Sequence, residues 1–256
     1  MSSDQGAPMR DVDAVILAGG MGTRLLPYTF SVPKPLVRLG ELPIIEILLC
    51  QLESFGVRRA HVALGHLADL MQAYLDQAER PSRLELLYSR EDTPLGTAGP
   101  MKLIRDLSDP FLLLNGDVLT TLSFRELLDD HLRRECPATV AVTRRRIQMS
   151  YGVVDLAPNA HIIGYREKPL VPLDVAMGIY VFQRRIVDRI PSGRKFDVPD
   201  LLQSLIDAGE PIAAHRSAEY WMDIGCAGDF ETAQRDFIAA PDRFLPPGRR
   251  GTPPSP

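Results

Sequence analysis

An α/β fold with a mostly parallel central sheet is predicted by three observations. Short apolar runs rich in branched residues recur through the first half of the chain, segments of helical periodicity separate them, and glycine or polar turns bound each one. Strand and helix alternating at this spacing argue for βαβ units, whose crossovers cover both faces of a sheet.

The elements follow in order. AVILA, 14 to 18, is a short branched run ending at glycines, which suits a strand covered on both faces. PIIEILLCQLESFGV, 43 to 57, sets Ile44, Ile47, Leu48, Leu52 and Phe55 at helical spacing and stops at Gly56. AHVAL (60 to 64) reads as a strand, LADLMQAYLDQA (67 to 78) as a helix and LELLY (84 to 88) as a third strand. TAGPMKLIRDL (97 to 107) predicts a helix with Pro100 in its first turn, and PFLLLNGD (110 to 117) a strand closing in a polar turn. Ser123 and Glu126 form a capping box for a helix over 124 to 134. The second half is less regular. Strands are predicted over 138–143, 151–156, 161–169 and 175–182, and helices over 184–190, 198–208 and 227–239. Residues 1–11 read as a flexible leader and 12–240 as one domain. Residues 241–256 hold six prolines and read as a disordered tail.

Composition excludes several classes. A chain of 256 residues with 45% hydrophobic content fits one large domain. A net charge of -4 and a pI near 5.8 argue against a nucleic-acid partner. Arg144-Arg145-Arg146 is the single basic cluster. It reads as a solvated strand end, with a phosphate-facing patch as the second reading. Cys50, Cys136 and Cys226 lie far apart, with neither disulfide nor zinc spacing, and the five histidines form no HExxH. No signal peptide and no apolar stretch of membrane length is present, so the expectation is a cytoplasmic protein with no membrane partner.

The chemistry begins after the first strand. Residues 19–25 fail both the Walker A pattern and the dinucleotide fingerprint, leaving GGxGTR. Gly19, Gly20 and Gly22 would let backbone N–H groups close on phosphate oxygens, and Arg24 adds a planar fork for two of them. In VPKPLV, prolines 33 and 35 fix φ on either side of Lys34 and aim its ammonium group. Asp117 follows a buried strand at the edge where open α/β sheets bind ligands. It is a turn cap or a ligand for a hard cation such as Mg²⁺. Asp223, in EYWMDIG, would be the second carboxylate. YREKPL repeats the lysine-before-proline device at Lys168, with Glu167 beside it. Gly178 interrupts a strand either as a bulge or to clear space for a ligand.

The ordered set LAGGMGTRLLPYT, VPKPLV, PLGTAGP, NGD, REKP, FDVPDLL and WMDIG resembles the sugar-1-phosphate nucleotidyltransferases over residues 12–240. The resemblance implies a Rossmann-like three-layer sandwich with a mixed, mostly parallel sheet. It also implies transfer of a nucleoside monophosphate from a triphosphate to a sugar 1-phosphate, with release of pyrophosphate. On that basis Leu17, Ala18, Gly19, Gly20, Gly22, Thr23, Gly96 and Thr97 would surround the nucleotide. Arg24 would grip the leaving pyrophosphate and Lys34 the α-phosphate, while Asp117 and Asp223 would hold Mg²⁺. Gly116, Glu167, Lys168 and Gly178 would meet the sugar phosphate.

PLGTAGP most resembles the guanylyl-transferring branch, and Glu91 falls where members commonly place a base-reading side chain. A carboxylate accepts from two neighbouring guanine donors, which favours GTP over dTTP, UTP, CTP or ATP. Glu91 as a solvated loop charge stays open. The acceptor stays open among mannose, heptose, glucose, an amino sugar and a cyclitol phosphate, and members often form homo-oligomers. A glycosyltransferase would show a DxD pair where Asn115-Gly116-Asp117 has one carboxylate. A non-catalytic nucleotide-sugar sensor would have lost one of the charged residues.

Overall fold

The computed structural model describes residues 9–78 and 83–247. Strand β1 (Asp13–Ala18) runs into the glycine loop, and a small hairpin, β2 (Arg38–Leu39) and β3 (Leu42–Pro43), leads into helix α1 (Ile44–Ser54). Then come β4 (Arg59–Leu64), α2 (Ala68–Gln77), β5 (Glu85–Arg90), β6 (Phe111–Asn115), β7 (Val118–Thr120) and α3 (Phe124–Arg134). The second half holds β8 (Ala138–Gln148), β9 (Val153–Leu156), β10 (Ile162–Arg166) and β11 (Leu170–Phe182). Helix α4 (Val198–Asp207), β12 (Ile212–Arg216), β13 (Trp221–Asp223) and α5 (Ala227–Ala239) follow.

Seven strands form the central sheet in the order β12-β8-β11-β6-β1-β4-β5. All neighbours are parallel except at β11, which runs against both β6 and β8. The predicted Rossmann-like three-layer architecture is therefore present. One layer packs α1, α2 and α3 on Ile16, Val62, Leu112 and Leu114. The other packs α4 and two short 3₁₀ turns on Val15, Leu113, Val140 and Tyr180. A third cluster seats α5 against α1 and the hairpin through Leu39, Ile44, Ile47, Phe230 and Phe237. After β5 the chain returns past β1 to lay down β6 on its other side. That reversal at β1 opens a crevice at the carboxyl ends of the strands, where such sheets bind ligands.

Several sequence expectations need correcting. The helix expected over 97–107 is only a 3₁₀ turn, Gly99–Leu103. Ala98 and Gly99 donate their N–H groups to Phe196 O, so the segment is held by a distant loop instead of its own helical ladder. The helix expected at 184–190 is likewise a 3₁₀ turn, Arg184–Arg189. β8 runs five residues past its predicted end, because the arginines that read as a stop are paired with β11 as far as Gln148. Strands β7, β12 and β13 and the small hairpin had no strong apolar pattern and are set by tertiary pairing.

Both expected termini are partly packed. Met9 is buried and donates to Phe55 O, and Phe244 and Leu245 are buried, with Phe244 O accepting from Gln51. The rest of the leader, 1–8, and of the tail, 248–256, lies outside the described residues. Among the described residues, no helix is long and apolar enough to cross a membrane.

Candidate active site

The crevice is a cleft of about 580 Å³ floored by the carboxyl ends of β1, β4, β5 and β6. At one end the chain turns sharply after three adjacent strands, and Gly19, Gly65 and Glu91 converge. A methyl group added at Gly65 would stand 2.6 Å from Glu91 Oε1 and 2.8 Å from Gly19 O. Glu91 Oε2 accepts from Leu95 N–H at 2.8 Å. Burial pushes its carboxyl above the ordinary value, against the lowering effect of that bond. Gly20 has open space around it, so its backbone faces the cleft unshielded. Leu17, Ala18, Gly96 and Thr97 also line the cleft. Gly96 has φ +80°, and an added Cβ would meet Asp197 Oδ1 at 2.6 Å. The Thr97 hydroxyl donates toward Asp197 and accepts from Val198 N–H, which ties this loop to the start of α4.

The charged centre lies across β1 from Glu91. Lys34 is buried in a 3₁₀ turn, and its ammonium group donates to Asp117 Oδ2. Asp117 Oδ1 is buried and has no hydrogen-bond partner among the described residues. The short pair β7–β13 sets Asp223 against Val118, and Ile224 N–H donates to Asp117 O at 3.1 Å. The two carboxylates are therefore neighbours. Burial, and then the charge of Asp117, raise the Asp223 carboxyl, while Lys34 and Arg24 pull it back. A methyl added at Gly225 would lie 3.7 Å from both Arg24 Nη2 and Asp223 Oδ2, so Arg24 belongs to the same cluster. Two crowded carboxylates, one oxygen of them buried and unpaired, form a hard-oxygen donor set that fits Mg²⁺ with further ligands from phosphate and water.

Other predicted residues are placed differently. Gly22 (φ +62°) and Thr23 form the turn that presents Arg24; the Gly22 carbonyl accepts from Thr29 at 2.7 Å. Gly116 is buried, and its N–H donates to Leu17 O. A methyl there would stand 2.6 Å from that oxygen, so Gly116 serves the close approach of β6 to β1 between Asn115 and Asp117, which line the cleft. At Gly178 the structure keeps the bulge reading: the β8–β11 register shifts there, and the space a Cβ would take belongs to Asn115 Nδ2, 2.5 Å away. Glu167 and Lys168 are exposed near the far end of the arm formed by β8, β9, β10 and β11, and are not among the residues lining the cleft. Glu167 Oε2 accepts from Tyr165 OH at 2.7 Å, and Lys168 has φ +41°.

Gly65, His66, Asn115, Lys195 and Asp197 line the cleft without having been singled out. Gly65 had a legible signal, since it follows an apolar strand as Gly19 does. His66 donates its N–H to Gly19 O and so locks the two turns together. Asp197 carried a visible helix-start signal in FDVPDLL, but nothing in the sequence shows that it faces Thr97.

The family model described as "Nucleotidyl transferase" matches residues 13–239. The chain is 36% identical over 237 residues to a mannose-1-phosphate guanylyltransferase catalytic subunit beta of Drosophila melanogaster, covering 89% of this chain and 63% of that one. It is 32% identical to a UTP–glucose-1-phosphate uridylyltransferase of Synechocystis, covering 88% and 63%. It thus spans less than two thirds of the length of these relatives. Among solved structures, HddC from Yersinia pseudotuberculosis superposes with a TM-score of 0.68 at 26% identity, covering 88% of this chain and 99% of that one. The same protein has been solved complexed with GMP-PN, and that structure superposes with a TM-score of 0.67.

Proposed function

Since the chain belongs to the nucleotidyl transferase family, we propose that it transfers a nucleoside monophosphate to a sugar 1-phosphate, releasing pyrophosphate. The observation that carries this reading is the Lys34–Asp117 pair beside Asp223, set at the carboxyl edge next to an open glycine loop. In this reading the glycine loop and the Glu91 end of the cleft take the nucleotide. An ionised oxygen of the sugar phosphate attacks the α-phosphorus; the new P–O bond forms as the bond to pyrophosphate breaks, and the electron pair leaves with pyrophosphate. An ionised phosphate needs no general base, so the protein's work is alignment and charge neutralisation. Lys34 holds the α-phosphate, and Arg24 the departing pyrophosphate. Asp117 and Asp223 would hold Mg²⁺, which supplies neutralisation of charge developing on the phosphoryl oxygens.

GTP is the proposed donor. The relatives include both a guanylyltransferase and a uridylyltransferase, and a carboxylate at Glu91 favours a base with two adjacent N–H donors. Glu167 and Lys168, on the arm, are proposed to reach the acceptor if the arm folds over the cleft. The proposed setting is the cytoplasm, with no nucleic-acid partner and a homo-oligomeric state. The test is pyrophosphate release across the nucleoside triphosphates, each with a panel of sugar 1-phosphates. Higher turnover with UTP or dTTP than with GTP removes the base assignment, and no release with any pair removes the reaction.

A further inference from the structure

The arginine run of β8 splits between two faces of the sheet. Arg145 turns toward β13, where its guanidinium donates to Trp221 O at 2.5 Å and lies 5.1 Å from the centre of the Trp221 ring. Arg144 and Arg146 point the other way and line a groove with Leu170 and Pro172 of β11. Neither has a hydrogen bond or ion pair among the described residues. Asp174 stands directly opposite Arg144 but gives Oδ2 to Arg216 of β12 at 2.9 Å. Asp174 is thus engaged by Arg216, and among the described residues no ion pair compensates the charge of Arg144 or Arg146 in the groove.

Its position follows from register. Tyr180 pairs with Leu113 on one side and Val140 on the other, and all three share one face of the sheet. Asn115, which lines the cleft, is two residues beyond Leu113 on that face; Arg144 and Arg146 are four and six residues beyond Val140. At ~3.3 Å per residue and ~4.8 Å between strands, Arg144 lies roughly 7 Å outside Asn115 and about 10 Å across the sheet from it. Strand order runs from Glu91 on β5, past Lys34 and Asp117 beside β1 and β6, to β11 and β8. The basic groove therefore lies beyond the end of the cleft opposite the one assigned to the base.

We propose that Arg144 and Arg146 read a second anionic group on the acceptor, so that the preferred sugar or cyclitol 1-phosphate carries a carboxylate or another phosphate away from its reacting phosphate. The planar guanidinium suits both groups, because each presents two oxygens to its fork. This inference rests on the transferase reading above and narrows its acceptor.

The test compares glucose 1-phosphate with glucose 1,6-bisphosphate and glucuronic acid 1-phosphate, reading kcat/KM for pyrophosphate release with saturating nucleotide. A doubly anionic acceptor is expected to exceed glucose 1-phosphate by about tenfold or more. The R144Q/R146Q variant, checked for folding by circular dichroism, is expected to lose that ratio. Equal kcat/KM for both acceptor classes in the wild type, or a ratio the variant preserves, overturns the proposal while leaving the transferase reading standing. So does an effect of free inorganic phosphate that the variant abolishes with the ratio unchanged, which assigns the groove to a free anion. Pyrophosphate release with none of these acceptors nor the wider panel sinks the transferase reading itself.

Discussion

The ammonium group of Lys34 is paired with one oxygen of Asp117, and that arrangement predicts how each fails when changed. Removing Lys34 leaves Asp117 without its ion-pair partner beside Asp223, and of the two cations acting on Asp223 only Arg24 stays. Removing Asp117 frees the ammonium group and takes away half of the hard-oxygen set. Each alanine variant is expected to lose about 10²–10³ in kcat, the usual scale for one electrostatic contact at a transition state. Steady-state pyrophosphate release checks this, with circular dichroism confirming the fold. Glu91 carries a pH-dependent prediction. Its carboxyl is held above the ordinary value by burial, so the ionised form that would accept from guanine is lost as pH falls, earlier than for an exposed glutamate. The KM for GTP should rise toward low pH in the wild type and stay flatter in Glu91→Gln; parallel profiles would remove the base-reading role. Lys34 stood out in the sequence because its signal is local, prolines on either side of a lysine, whereas Glu91 stood out only through the resemblance. The packing role of Gly116 was not legible, because it depends on a carbonyl contributed by Leu17, almost a hundred residues away.

At the scale of elements, two glycines that look alike in sequence are separated by what surrounds them. Gly116→Ala must push a methyl into Leu17 O, and should cost about 1–3 kcal/mol through overpacking. Gly20→Ala meets nothing and should change thermal stability little, while crowding the surface offered to phosphate. Thermal melts of the two variants check the contrast, and equal losses would contradict it. The strands of the first half were legible because both faces of a parallel sheet are covered, which demands branched apolar runs. β7 and β13 were not, since three-residue strands carry too short a pattern and exist because they pair with each other. Yet that short pair is what sets Asp223 beside Asp117, so the motif spacing hinted at a partnership whose scaffold only the folded chain reveals.

For the whole molecule, one ion pair anchors the edge opposite the cleft. Asp13 begins β1, accepts from Arg59 at 2.8 and 2.6 Å and from Ser108 N–H at 2.8 Å, and lies 3.8 Å from His61 Nε2. Burial alone would raise its carboxyl, but His61, Arg59 and Ser108 outweigh burial and hold it below the usual range. A depressed folded pKa contributes stability that is present above the unfolded value near 4 and is lost as pH falls through the folded one. Asp13→Asn should therefore destabilise the protein by about 1–3 kcal/mol at pH 7, and by less below pH 4, as read by urea unfolding at the two pH values. The reversed strand β11 has a different kind of consequence. Its inner half is built into the sheet beside β6, whereas its outer half, with the outer half of β8 and the β9–β10 pair, stands clear of the Glu91 end of the cleft. On the proposed reaction, evolution or an engineer could exchange that projecting half for another and retune which acceptor is admitted, while the floor proposed to take the triphosphate is inherited intact.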